Sequence, residues 1–524
     1  MKSYLIIVTI CLLSPVMASA ELSLPNIFSD HMVLQRERTA SIWGTATPGS
    51  RVRIDFKGQQ TSVDTNTNGH WRVGIPTGKA DGKGATLTIQ SDSQTVAIKD
   101  VMVGEVWLAS GQSNMVFSMN RVPAYAEIIA TSAHPEIRMF NAQSVTAVEP
   151  QNDIEGQWSI CSPASVPGYS AVAFFFARKL HEELGVPIGV IKSAWGGKPV
   201  ETFTSREALL TLPETKALVE ATLKADAAYD EVAAQAAYKN RLARWKTVVT
   251  KQKAQPTTKQ TRPPRRPAAP KRPLLTEGKP GVLFNSMIYP FVGFTIRGVI
   301  WYQGEANAKP GAVPYDQTLP LMIRDWRQRW DDDFSFYFVQ LANFREPSVR
   351  PGTPDLWALL QDRMRQVLQT TPKTGMAVIN DVGEATDIHP KNKKDPGERL
   401  ARWALAKDYG HDLVCSGPLY RSSELKDGAI RITFDQCGDG LRVRDGGMLK
   451  RFEIAGEDQV WRWADANIDG TSSVLVSSAH VPKPIAVRYA WAANPQGANL
   501  VNSENLPASI FRTDDWNDVK TLLK

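Results

Sequence analysis

The sequence predicts an α/β protein: a parallel-sheet core, broken by one insertion, set between two β-rich regions. Three observations carry this. Short alternating apolar runs separated by turn residues fill positions 21–100, apolar strand-like runs alternate with helix-like segments over 101–415, and alternating runs return over 416–524. A chain of 524 residues, at ~150 residues per domain, has room for two to four such units.

Within the first region the runs at 40–43, 51–56, 71–75 and 85–89 are divided by Pro48-Gly49 and Asn68-Gly69. Strands at ~8–12-residue spacing with such turns predict a small N-terminal β-sandwich over 21–100. From Val101 the texture changes. Glu105-Val106-Trp107-Leu108-Ala109 reads as a buried strand running into Ser110-Gly111-Gln112-Ser113-Asn114-Met115. Val172, Phe175, Phe176 and Leu180 then recur at helical spacing over 171–183, Gly185 ends that helix, and Ile188-Gly189-Val190-Ile191 reads as the next strand. Strand, helix, strand is the mark of a parallel sheet. An Ala-, Leu-, Lys- and Glu-rich stretch from Ser205 to about Gln252 predicts one or two long helices; with the Pro-rich segment after it, it forms an insertion over 205–275. Strands resume at 298–302, 336–340 and 376–379, and Asp395-Pro396 predicts a helix to Ala406 with Asp as N-cap and Pro at the first helical position. Runs at 430–434 and 474–476 mark the C-terminal β-rich region, 416–524.

Hydrophobic residues make up 42% and charged residues 22% of the chain, which excludes a disordered or fibrous protein. Most of the fifteen Trp are expected in cores and domain contacts. The formal charge of +7 has a local source: eight Lys and Arg lie between Lys251 and Pro273 with no acidic residue, and removing them leaves −1 for the rest. A nucleic-acid reader spreads its cations over a folded face, so no nucleic-acid partner is expected, and 251–273 is predicted to be an extended exposed loop. Lys2, the apolar run 4–13 and Ala18-Ser19-Ala20 read as a secretory signal cut after Ala20, which implies a secreted or periplasmic protein. No later stretch approaches the ~20 apolar residues of a membrane span. Of the four Cys, Cys11 leaves with the signal. Cys161, Cys415 and Cys437 then allow one disulfide, Cys415–Cys437 being the nearer pair, or three buried thiols. No Cys/His cluster suggests a metal site.

Four segments carry chemistry. Ser113 lies where a strand turns into a helix, at the carboxyl end of a parallel sheet, where α/β proteins place their sites. Its hydroxyl is exposed there, and its own N–H faces a developing oxyanion; a helix-capping Ser is the plainer alternative. The turn is not the G-x-S-x-G elbow, because Met115 replaces the second glycine. Gly196 and Gly197 follow the strand ending at Ile191 and leave backbone N–H groups unobstructed. Gln303 follows the strand ending at Tyr302 and carries an NH₂ donor, with Glu305 placed to hold neighbouring donors. Asp387-Ile388-His389-Pro390 puts one of only seven His in a loop after a sheet strand, beside a carboxylate. A serine hydroxyl needs such a base to become a nucleophile.

Together, Gly111-Gln112-Ser113-Asn114-Met115, Trp195-Gly196-Gly197, Trp301-Tyr302-Gln303-Gly304-Glu305-Ala306-Asn307 and Asp387-Ile388-His389-Pro390 resemble the blocks of sialate O-acetylesterase-like carbohydrate esterases. The resemblance extends to residues 24–35 and 484–495, and so to most of the chain outside 205–275. It implies a flavodoxin-like SGNH three-layer core, Ser113 as nucleophile and His389 as general base and then acid. It also implies an oxyanion hole from the Ser113 N–H, Gly196, Gly197 and Gln303, with Glu305 and Asn307 in support, and no metal or cofactor. The position three before the histidine is Thr386. Asp387, two before, is therefore the candidate orienting acid, with a backbone carbonyl or another carboxylate as alternatives. The implied activity is removal of acetyl groups from an O-acetylated glycan, sialic acid or a plant polysaccharide such as xylan or xyloglucan. The competing readings are a glycan-binding protein with a decayed core, and a short-chain acyl-lipid esterase, which would favour an apolar lid where this insertion is charged.

Overall fold

The structure, a computed structural model, describes residues 21–254 and 264–516. The predicted signal at 1–20 lies outside the described residues, as do Lys259 and Arg262.

Five parallel strands organise the core: Gln94–Gly111, Ile188–Ala194, Gly298–Tyr302, Ser335–Val339 and Thr374–Ala377. Numbered in chain order, they lie side by side as 2-1-3-4-5. His134–Asn141 adds in parallel beyond the second, and Trp158–Cys161 closes that edge antiparallel. The direction of winding reverses beside the first strand, so a crevice opens at its carboxyl end, the usual ligand position in such sheets.

Alternation along the strands sorts the aromatic side chains onto two faces. On one, Trp107, Tyr337 and Trp403 stack in sequence and Phe176 meets Trp107 edge-on, placing helices Ala171–Leu184 and Lys394–Lys407 there. On the other, Trp301 and Phe336 pack against Trp326 of helix Tyr315–Trp330, which is paired with helix Leu356–Thr370. Helices cover both sides of the sheet, and Trp107, Trp301, Trp326 and Trp491 are fully enclosed.

The expected strand runs at 40–43, 51–56, 71–75 and 85–89 fall inside Thr39–Thr45, Arg51–Phe56, His70–Pro76 and Asp81–Ser91. The boundary drawn at residue 100 lies within one 18-residue strand, Gln94–Gly111, whose first part pairs antiparallel with Asp81–Ser91 and whose second part leads the core sheet. Apolar alternation in its outer half and a continuous apolar run in its inner half disguise it as two elements.

Two other expectations change. The helix expected to be capped by Asp395 begins at Lys394, and Pro396 sits inside its first turn. The N-cap is Lys393, two residues earlier and without a side-chain cap bond, while Asn392 Oδ1 accepts the Asp395 N–H at 3.1 Å and Asp395 Oδ2 accepts from Asn392 Nδ2 at 2.9 Å. The basic segment is not loop throughout: Lys251 and Lys253 belong to helix Glu231–Ala254, Arg272 pairs with Asp226 at 2.6 Å, and the Pro264 carbonyl accepts from the Trp245 indole at 2.7 Å. Cys161, Cys415 and Cys437 are free, buried thiols. No described helix is long and apolar enough to cross a membrane. The C-terminal region forms two four-stranded sheets around a separate core that includes Ile432, Phe452, Val476 and Phe511.

Candidate active site

The first core strand ends at Gly111, whose φ of +133° belongs to glycine; a Cβ there would lie 2.2 Å from the Tyr302 carbonyl oxygen. That close approach lets the Gln112 N–H donate to the Tyr302 carbonyl at 2.9 Å, and it sets the turn at the head of the sheet. The short helix Ser113–Val116 starts there with no side-chain cap, leaving its first N–H groups unclaimed by a capping side chain. Gly196 approaches from the second strand: a Cβ on it would stand 3.3 Å from Ser113 Cβ. Gly197 adopts φ +68° with open space around it.

The loop after the fifth strand brings His389 over the turn, with Nε2 2.8 Å from Ser113 Oγ. The ring stacks on Phe117, centroids 6.2 Å apart. Asp387 Oδ1 lies 3.4 Å from His389 Nδ1 and accepts the His389 backbone N–H at 2.9 Å. Among the described residues, no other carboxylate comes within 4.0 Å of this ring. Asp387 is partly exposed and also faces Lys391 at 3.5 Å. Burial pulls His389 below the ordinary imidazole value; Asp387 pushes it up, and Lys393 and Arg121 push it down. A neutral imidazole with its Nδ1 proton toward Asp387 leaves Nε2 free to accept the serine proton.

Behind the turn is a second, enclosed cluster. Asn114 Nδ2 donates to Glu305 Oε1 at 2.5 Å and to the Ile388 carbonyl at 3.1 Å, and Asn114 Oδ1 accepts from Lys393 Nζ at 2.5 Å. Lys393 is wholly buried, its ammonium 4.7 Å from the Phe117 ring centre. Burial brings its pKa down to about 7 and raises that of Glu305. One amide side chain thus bridges the residue after Ser113, the residue before His389, a carboxylate and an amine. Sequence reasoning singled out Glu305 but missed Lys393; its only signal was a place four residues after the histidine in a Lys-rich stretch.

Gln303 is fully buried. Its NH₂ donates to Asn307 Oδ1 at 2.7 Å and the Lys198 carbonyl at 3.1 Å, with Gln112 Oε1 at 3.3 Å, and its Oε1 accepts from the Tyr315 hydroxyl at 2.7 Å. Asn307 Oδ1 in turn accepts the Val200 N–H at 3.1 Å, and its NH₂ donates to the buried Glu201 at 3.0 Å. The two N–H bonds of Gln303 are therefore engaged by protein acceptors. In this arrangement Gln303 and Asn307 fasten the segment after Gly196-Gly197 and brace Gln112, and the NH₂ of Gln303, the expected oxyanion donor, faces these acceptors. Among the described residues, no group of three His, Cys, Asp or Glu is arranged to hold a metal ion.

The sialate O-acetylesterase of Mus musculus is 30% identical over 533 residues, covering 93% of each chain, and that of Rattus norvegicus is 31% identical with the same coverage. A crystal structure described as a novel carbohydrate acetylesterase from Xanthomonas citri matches with a TM-score of 0.79 and 33% identity, over 95% of this chain and 100% of that one. No protein-family model matches the chain. Fold and relatives together define a carboxylic ester hydrolase. More narrowly, the chain belongs to the sialate O-acetylesterase family.

Proposed function

We propose that this protein is an exported acetylesterase of the SGNH type that removes O-acetyl groups from sugars. The observation that carries the reading is the 2.8 Å contact between Ser113 Oγ and His389 Nε2 at the carboxyl end of the first core strand. In this reading His389 takes the hydroxyl proton as Ser113 Oγ bonds to the acetyl carbon, and the N–H groups of Ser113 and of Gly196 or Gly197 receive the oxyanion. His389 then protonates the departing sugar oxygen as the C–O bond breaks. Water, deprotonated by the same imidazole, attacks the acetyl-serine, and acetate leaves as Ser113 regains its proton. Asp387 orients the ring through Nδ1, and Gln303, Asn307 and Glu305 hold the donors and the turn. The 2-1-3-4-5 sheet supports the flavodoxin-like SGNH assignment. The proposed units are a sandwich over 21–100, the hydrolase core over 101–415 with its insertion at 205–275, and a β-rich region over 416–524.

The relatives' names supply the sugar ester as the class of substrate. The test is acetate release from O-acetyl sialic acids, acetylated xylan, xyloglucan and pectin by wild type and Ser113→Ala. Wild type should turn over at least one of the panel, with 4-nitrophenyl acetate as the general reporter, and Ser113→Ala should fall to background. Equal release by the two proteins would sink the assignment.

A further inference from the structure

Away from Ser113, a cleft of about 620 Å³ opens where the antiparallel pair of Thr39–Thr45 and His70–Pro76 meets Tyr289 and the loop carrying Asn152. No residue of the Ser113 turn or the His389 loop lines it. Its composition is mixed: the half-buried rings of Trp43 and Tyr289, exposed amides at Asn66 and Asn152, and the exposed guanidinium of Arg72.

Arg72 decides what such a cleft would take. Its guanidinium carbon lies over Trp43, 4.4 Å from the ring centre. Gly293 leaves it space on the other side, since a Cβ there would come within 2.1 Å of Nη1. Its one hydrogen bond is a long one, Nη1 to Ser41 Oγ at 3.4 Å. Among the described residues no carboxylate pairs with it, whereas Asp153 of the same cleft is engaged by the Asn26 backbone and side chain at 2.8 and 2.9 Å. A held guanidinium with no carboxylate partner, beside aromatic rings and exposed amides, is complementary to a ring with C–H faces, hydroxyls and one carboxylate. The indole N–H of Trp71, which also lines the cleft, is buried without an acceptor.

We propose that this cleft is a second sugar-binding site, separate from the Ser113 centre, that takes a pyranose bearing a carboxylate, with Arg72 anchoring the carboxylate. The ligand source is a uronic acid or a sialic-type acid, and both present the same group. The inference uses no step of the esterase reading, so each can fail alone.

The experiment is an NMR titration of the full chain with methyl β-glucuronide and methyl β-glucoside, which differ by the carboxylate, and in parallel with N-acetylneuraminic acid. Wild type should bind at least one carboxylated sugar about tenfold more tightly than the glucoside, as expected for a charge-assisted pair. Which acid binds names the source. Arg72→Met should erase the preference while 4-nitrophenyl acetate hydrolysis stays at the wild-type rate. Equal binding of acidic and neutral sugars by wild type, or a preference that survives Arg72→Met, overturns the proposal. If Arg72→Met folds poorly, by thermal melt and loss of acetate hydrolysis, the wild-type comparison decides by itself.

Discussion

Two carboxylates flank the Ser113 turn in opposite environments. Asp387, on the solvent side, keeps water contact, lies 3.4 Å from the imidazole and is held below its ordinary pKa, first by the His389 backbone N–H and then by Lys391. Glu305, on the buried side, is raised by desolvation and reaches the site only through Asn114, which also holds Lys393. The exposed acid acts on charge and the enclosed one on position. Solvent screens an exposed ion pair to a small energy, while a buried hydrogen-bonded cluster fixes geometry at a cost in desolvation.

Breaking the buried side should have the largest effect. Lys393→Met leaves Asn114 Oδ1 without its donor and loosens the link between the Ser113 turn and the His389 loop. We expect a loss of about 10²-fold in kcat, the scale of a ~1 Å misplacement. Stability should respond differently. The folded pKa of Lys393 is depressed from 10.5 to about 7, so between those values the unfolded chain binds more protons and wild-type stability should rise with pH. Lys393→Met should flatten that rise in urea unfolding curves taken from pH 7 to 10. An unchanged kcat with a large loss of stability would reverse the assignment of this cluster to positioning.

Breaking the exposed side should cost less. Asp387→Asn should lower kcat by about fivefold, because an exposed pair is worth up to ~1 kcal/mol, against the ~10⁴-fold loss seen where a triad aspartate is buried. Asp387 raises the His389 pKa. Its removal should therefore move the acid limb of the pH–kcat/KM profile to lower pH, and a move to higher pH would contradict the pairing. Gln303→Ala, by stranding Tyr315 and Asn307, should lower both activity and the urea midpoint; a pure loss of kcat at unchanged stability would instead favour a direct role at the oxyanion.

The same contrast explains what the sequence made legible. Ser113 and Gly196 lie just past strand ends and His389 in the loop that follows a core strand, and strand ends show as apolar runs meeting turn residues. Local pattern therefore located the loops that meet at the site and the strands that lead to them. Lys393 carries no such mark: a lysine four residues past a histidine reads as solvated until tertiary packing closes over it. Gln303 is legible as a residue, but of its partners only Asn307 shares its segment, while Tyr315 and the Lys198 carbonyl come from elsewhere, and a chain pattern does not show which way an amide is turned. That the N-terminal boundary falls inside a strand has a related reason, since one strand that serves two sheets changes its apolar period halfway along.

The finest test of the comparison lies between the two sides, at Arg121. Its guanidinium sits 4.3 Å from the centre of the Phe117 ring, on which His389 stacks. Arg121 and Lys393 lower the His389 pKa and Asp387 raises it, with burial the largest influence. Arg121→Ala removes one of the two cations while leaving the Ser113–His389 contact and the Asn114 cluster intact. The acid limb should then move up by a few tenths of a pH unit, since a charge acting across a ring near solvent is well screened, with kcat on the alkaline plateau unchanged. A limb that stays in place or moves down on substitution would mean that the Arg121 charge does not reach the imidazole, and the division between a charge-setting exposed side and a positioning buried side would have to be redrawn.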